Sequence, residues 1–277
     1  MRASDNAGYV RGIVFVKERV LVELARTFVV ARLGPRKVQR MPHGLTAERA
    51  YRVQAATFAI LGEAVSGYKI GLTTPSAQMA MKWGQPIAGR LRARNLLRAP
   101  VRIAAAGSGR FAEVELVFEI GEDLDAADAP FAEADIARSI AGLYAGIEIC
   151  ASRYAHDDLT IFELIADNAN ADQLVIGDQL SSAWDVRFAD LPVMLERERE
   201  ASVRGSTASV LGNPLKSVVW LANWLAERGE SLKAGQFVAS GSCTGFTELH
   251  EPETLIARFG DIGVASVTIV ATDPKGR

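Results

Sequence analysis

The stretch RFAEVELVFEI, residues 110–120, alternates in character along its length. Successive side chains on a strand point to opposite sides, so Val114, Leu116 and Phe118 fall on one face and Glu113, Glu115, Val117 and Glu119 on the other. The step from Glu113 to Glu115 therefore sets two carboxylates side by side. On a solvated face such a pair needs no partner. On a buried face their repulsion demands a cation or bound protons, and an all-oxygen donor set suits magnesium, manganese or calcium rather than zinc. Glu148 stands between Ile147 and Ile149, which face away from it, in a second β-like segment, and offers a third oxygen.

Outward from this strand, a helix is expected over residues 132–143, leading into GIEIC at 146–150. Further on, Asn213 caps a helix with Pro214 at its first position, Leu215, Val218, Val219, Ala222 and Leu225 on its apolar face and Gly229 at its end. The strands FVASGS (237–242) and VASVTIV (264–270) close the chain. Upstream, residues 14–33 carry Val16, Val20, Leu21, Leu24 and Val29 at helical spacing, broken at Gly34-Pro35. A second helix starts after Thr46, with Glu48 in its first turn, and runs through Tyr51, Val53, Ala56, Ile60 and Leu61 towards Gly62 or Gly67. GYKIGLTT (67–74) reads as a glycine-flanked strand presenting Lys69 near a tight turn. The class is α+β, with a smaller, mainly helical N-terminal region (1–95) packed on a β-rich catalytic region (96–277).

A chain of 277 residues that is 49% apolar buries a full core unaided. The formal charge of −2 excludes an overall basic field, so neither nucleic acid nor an anionic membrane surface is the expected partner. The only two cysteines, Cys150 and Cys243, lack the spacing of a zinc module and form no disulfide framework, which fits a reducing compartment. The N-terminal segment interrupts its apolar residues with Lys17, Glu18, Arg19, Glu23 and Arg26, so it reads as neither a signal peptide nor a membrane span, and a cytoplasmic location is expected.

Lys69, between aromatic and aliphatic neighbours, is a candidate acid, base or anion anchor, although a lone lysine on a strand more often lies at the surface. Asp167-Asn168 reads as a turn or a helix cap. His43, His156 and His250 have no pairing that suits a metal. The segment from Ser240 to Gly245 is a glycine-punctuated strand end whose hydroxyls and amides can hold a carboxylate, and no nucleophile elbow or reactive-thiol setting accompanies it.

Taken together, GYKIGLT (67–73), AEVELVFEIGEDL (112–124), IEICASRY (147–154), ADNAN (166–170), GNPLKSVVWLANWL (212–225) and LKAGQFVASGSCTG (232–245) resemble the 2-keto-4-pentenoate hydratase family of the fumarylacetoacetate hydrolase superfamily, in the family's order. The resemblance implies a superfamily-type β-rich C-terminal fold, a magnesium or manganese ion on Glu113, Glu115 and Glu148, and a homo-oligomer built from dimers. It implies an acid/base or positioning role for Lys69, and places Ser242 and Thr244 at the substrate. Asp167, grouped with them, is expected to give structural support. The implied substrate is a small 2-oxo acid, hydrated at a 4-ene bond. Decarboxylation of a 2-oxo-enedioate, hydrolysis of a carbon–carbon bond, and metal or ligand binding without catalysis are the alternatives. Two departures bear on the choice. Gln85-Pro86-Ile87-Ala88-Gly89 stands where the family commonly reads E-P-D-[FY]-G, so Ile87 replaces an acid. Ala151-Ser152-Arg153 stands for D-S-R, which removes a carboxylate behind the third ligand. An enedioate would call for a second cation, with Arg90, Arg92 and Arg94 as candidates.

Overall fold

Leu21, Ala25 and Phe28 are the buried residues of the first helix and recur at intervals of four and three, so one stripe of it is covered. The stripe packs on the second helix, which starts at Thr46, whose Oγ1 accepts the Arg49 N–H, and stops at Gly62, in the left-handed region at φ 69°. The computed structural model describes residues 18–42, 44–105, 110–249 and 252–271. Residues 14–17 of the expected first helix, His43 and His250 lie outside them.

In chain order the elements are α1 (Glu18–Leu33), α2 (Ala47–Leu61), β1 (Val65–Gly71), α3 (Pro75–Ala80), β2 (Ile87–Arg92), β3 (Leu96–Arg98), β4 (Val101–Ala105), β5 (Arg110–Ile120), α4 (Glu133–Ser139), β6 (Ile140–Ala151), α5 (Ile161–Ala166), β7 (Ala171–Ser181), β8 (Pro192–Arg197), β9 (Val203–Ser206), α6 (Leu215–Ala226), β10 (Phe237–Ala239), β11 (Thr247–Leu249), β12 (Thr254–Phe259) and β13 (Gly263–Ala271). The larger sheet runs β2-β1-β10-β5-β6-β7-β3, with β11 beside one end of β5, and the smaller runs β4-β13-β12-β8-β9. The α+β class holds. One core lies between the sheets: Val114, Leu116 and Phe118 of β5 pack in it with Leu255, Ala257 and Phe259 of β12 and with Leu221 and Leu225 of α6. Burying each such side chain contributes about 1.5–3 kcal/mol.

Two expectations are corrected. The helix expected over 132–143 ends at Ser139, and residues 140–143 belong to β6, where hydrogen bonds to β5 and β7 hold the chain extended whatever its local preference. The strand expected over 237–242 ends at Ala239, because Gly241 adopts φ 121° and turns the chain across the end of the sheet. The division expected at residue 95 falls between β2 and β3, both of them strands of the larger sheet. β1 pairs in parallel with β10, Lys69 facing Ala239, and β2 pairs with β1, so these two strands of the N-terminal region belong to the large sheet, and its long helices are α1 and α2.

Candidate active site

β5 and β6 pair antiparallel with Glu113 directly opposite Glu148, and Glu115 opposite Gly146. Directly opposite residues share a face, so register alone gathers three carboxylates on the side of the sheet away from the main core. Glu115 and Glu148 are fully buried and Glu113 is half-buried. Lys69 reaches them from β1. It shares a cross-strand row with Ala239 and Val117, and the small Ala239 leaves room for its stem. Its Nζ lies 3.0 Å from Glu148 Oε2, and its side chain is buried.

The charges do not balance. Three carboxylates and one ammonium leave two negative charges uncompensated if all are ionised. Burial, reinforced by Glu148 and Glu113, holds the Glu115 carboxyl well above the usual carboxylate range. Burial also raises Glu148, against the pull of Lys69. Burial alone would lower the Lys69 ammonium, but the acids around it, Cys150 and Glu148 first, outweigh that and hold it well above its ordinary value. Hydrogen bonding is also incomplete: Glu115 Oε2 accepts the Gly241 N–H at 2.8 Å and Glu148 Oε2 pairs with the Lys69 ammonium at 3.0 Å, while Glu115 Oε1 and Glu148 Oε1 are buried without a hydrogen-bond partner. Buried acceptors of this kind are uncommon. Their donor chemistry and the missing two positive charges fit a divalent cation.

The ligand atoms that cluster within 4.8 Å of one another are those of Glu113, Glu148 and Cys150, with Glu115 one step along β5. Cys150 was not expected here. Its Sγ lies 3.4 Å from Glu113 Oε2 and 3.8 Å from Lys69 Nζ. The signal was its two-residue spacing from Glu148 on β6, which puts thiol and carboxylate on one face.

Ser242 and Glu113 line one cavity of about 420 Å³. Lys69, Glu113 and Cys150 line an adjoining one of about 390 Å³, walled by Leu72, Met81, Ile87 and Leu164. Ser242 Oγ is buried and unpartnered. Thr244 Oγ1 instead accepts the Val114 N–H at 3.4 Å, fastening the turn to β5. Gly241 belongs to the same turn, and a Cβ there would come within 2.4 Å of Thr73 Oγ1. Asp157, a second acid missed in the sequence, also lines the Lys69 cavity.

Asp167 lies behind the wall. It is fully buried, accepts the Arg153 N–H at 2.7 Å and pairs with Arg32 at 3.2 Å. It opens a left-handed turn, Asn168, Ala169 and Asn170, with φ of 61°, 53° and 58°. Asparagine tolerates that region, whereas Ala169 there costs about 1–2 kcal/mol. The turn is held by Asn168, which accepts the Arg90 N–H at 2.6 Å and donates to the Arg90 carbonyl at 2.8 Å. Ala169 and Asn170 thereby face the cavity. His156 is occupied with Asp158 and Glu163 at 3.0 and 3.5 Å and takes no part in the site.

No protein-family model matches the chain. It is 32% identical over 210 residues to the 2-keto-4-pentenoate hydratase of Burkholderia vietnamiensis (strain G4 / LMG 22486), a match that spans 75% of this chain and 79% of the relative. It is 34% identical over 124 residues to a 4-oxalocrotonate decarboxylase of Pseudomonas putida, 45% of this chain and 47% of the relative. The solved structure of the 4-oxalocrotonate decarboxylase from Pseudomonas putida G7, complexed with magnesium and adipate, superposes with a TM-score of 0.83 at 24% identity, covering 92% of this chain and 99% of that one, and shows the fold. With the hydratase match extending over three quarters of its length, the chain belongs to the 2-keto-4-pentenoate hydratase family.

Proposed function

We propose that this chain is a metal-dependent hydro-lyase that adds water to the 4-ene bond of a small 2-oxo-4-enoate, with Lys69 and the carboxylates of Glu113, Glu115 and Glu148 as its working groups. The observation that carries the reading is the buried, charge-deficient cage of carboxylates around one ammonium, at the wall of a cavity whose remaining lining is mostly apolar. Glu113, Glu115 and Glu148 would hold the divalent ion, and three carboxylates by themselves select a hard one such as magnesium or manganese. When bound, that ion supplies a Lewis acid that stabilises the electron-rich form of the 2-oxo acid. Lys69, kept protonated by its neighbours, gives a proton or a hydrogen bond to the substrate. Ser242 Oγ offers a hydroxyl from the adjoining cavity, and Asp157 a carboxylate that orients water in place of the acid missing at Ile87. The apolar wall suits an uncharged tail.

That wall is also what favours hydration over decarboxylation of an enedioate. Among the described residues lining the Lys69 cavity, Lys69 is the only cation. The arginines expected to meet a second carboxylate are engaged elsewhere: Arg90 with Glu230 through two contacts of 2.7 Å, Arg92 with Asn95 at 3.0 Å, Arg94 with Glu63 at 2.9 Å. Among the described residues no helix is long and apolar enough to cross a membrane. The unpaired thiols support a cytoplasmic location, and a homo-oligomer follows from the family alone, for light scattering to test. The decisive assay is ultraviolet decay of freshly generated 2-hydroxypenta-2,4-dienoate with magnesium and then with a chelator. Chelator-sensitive formation of a 4-hydroxy-2-oxo acid supports the reading; no decay in protein shown to bind metal rejects hydration.

A further inference from the structure

We propose that the metal centre takes a sulfur donor, Cys150 Sγ, in addition to its carboxylates, and that this chain therefore binds a borderline divalent ion such as zinc, cobalt or ferrous iron more tightly than magnesium. The proposal rests on the reading that the cage holds a metal. Three observations carry it. Sγ lies 3.4 Å from Glu113 Oε2. A metal–sulfur bond of about 2.3 Å and a metal–oxygen bond of about 2.1 Å put two donors of one tetrahedral ion about 3.6 Å apart. Cys150 Sγ and one oxygen each of Glu113 and Glu148 all lie within 4.8 Å of one another. Finally, Glu148 Oε1 is fully buried without a hydrogen-bond partner, although Glu148 Oε2 pairs with Lys69, so a carboxylate lone pair in the cluster stays free for an ion.

Cys150 is unpaired, buried and on a cavity wall, which makes it reachable by an ion yet screened from bulk oxidants. On binding, the thiol proton leaves to solvent, its S–H electron pair forms the sulfur–metal bond, and no oxidant or reductant is involved. Thiolate donors select against magnesium and calcium, whose affinity rests on oxygen ligands, and the affinity order of first-row ions then favours cobalt and zinc over manganese.

The test is cobalt titration of metal-free protein, read by absorbance. A near-ultraviolet thiolate-to-cobalt charge-transfer band saturating at one equivalent is expected in the native protein and in Cys243→Ser, and its absence is expected in Cys150→Ser and Cys150→Val. Zinc affinity should fall at least about tenfold in Cys150→Val, with manganese affinity nearly unchanged. The band is read on native protein, so the outcome does not depend on either variant folding. Cobalt or manganese binding without a charge-transfer band overturns the sulfur donor while leaving the carboxylate site intact; no binding of any divalent ion overturns the metal reading itself, and the proposal with it.

Discussion

Replacing Lys69 with methionine keeps the stem and removes the charge, so it isolates what the ammonium does for the cage. Glu148, fully buried and 3.0 Å from Nζ, loses its only cation among the described residues. Removing one partner of a buried ion pair costs about 3–5 kcal/mol. Protonation caps that cost, because a carboxyl with an ordinary pKa of about 4.3 takes up a proton at pH 7 for about 3.7 kcal/mol, and Glu115, already raised, needs less. The expected loss in the presence of a chelator at pH 7 is therefore about 2–4 kcal/mol, or roughly 4–8 °C in Tm. Without Lys69 the folded-state pKa of Glu148 rises further above its unfolded value. A raised acid stabilises below its unfolded pKa and loses that contribution as pH rises through its folded pKa, so the gap between native and variant widens from pH 5 to pH 8. A saturating divalent cation should shrink the gap at every pH by replacing the missing charge. Thermal unfolding across this matrix of pH and metal checks it. A variant as stable as native protein in chelator at pH 8, or a gap that metal leaves untouched, refutes the cage.

Glu115→Gln keeps the shape of the buried side chain and its acceptor for the Gly241 N–H but removes a ligand, so metal affinity by calorimetry should fall at least about 100-fold and turnover should vanish with it. Glu163→Gln probes stability away from the site. Burial raises the Glu163 carboxyl, but the Thr160 and Met41 N–H groups and the Thr160 hydroxyl outweigh this, so its pKa is lowered in the fold. Such a group stabilises above its unfolded pKa and loses that contribution as pH falls through the folded one, so a deficit of about 1–2 kcal/mol at pH 7 in urea unfolding should narrow below pH 4.5. Ile87→Asp restores an acid at a buried position among Leu72, Met81 and Leu164; it should cost about 3 kcal/mol in the same assay and lower turnover, whereas a tenfold rise in turnover would show a site built for that acid.

Much of the site was legible because it is written in spacing. Alternation in β5 put Glu113 and Glu115 on one face, and the isoleucines around Glu148 oriented it. What alternation could not supply was the partner strand: only the pairing of β5 with β6 shows that Glu113 faces Glu148, and only the parallel pairing of β1 with β10, across 170 residues of sequence, brings Lys69 to them. Cys150 was equally legible at two residues from Glu148, but cysteine was read through disulfide and zinc-module spacings, neither of which describes a thiol joining carboxylates. The left-handed turn at 168–170 was out of reach for a different reason. No alanine prefers φ 53°, and Ala169 holds it because the Asn168 amide pairs with both backbone groups of Arg90 on another strand. The misplaced end of α4 has the same origin, since long-range ladder bonds decide where β6 begins.

The same dependence explains why the helical N-terminal part matters to a site that none of its helix residues touches. Gln54 of α2 donates to the Ala88 carbonyl at 2.9 Å and to the Ile165 carbonyl at 3.1 Å, tying the strand that carries Ile87 to the helix that ends at Asp167. Arg32 of α1 donates to the Asp167 carbonyl at 3.0 Å and pairs with its carboxylate. Asp167 in turn holds the Arg153 N–H just beyond the end of β6. Between them these bonds position both ends of the left-handed turn whose Ala169 and Asn170 form the cavity wall. Gly89 shows how tight that junction is, for a Cβ there would lie 2.4 Å from the Asn168 carbonyl oxygen and 3.1 Å from Lys69 Cγ. The charged cage is thus set by strand register, and the apolar wall facing it by helix-borne hydrogen bonds. A change in α1 or α2 that spares the core should consequently alter which substrate tail is accepted before it alters metal binding.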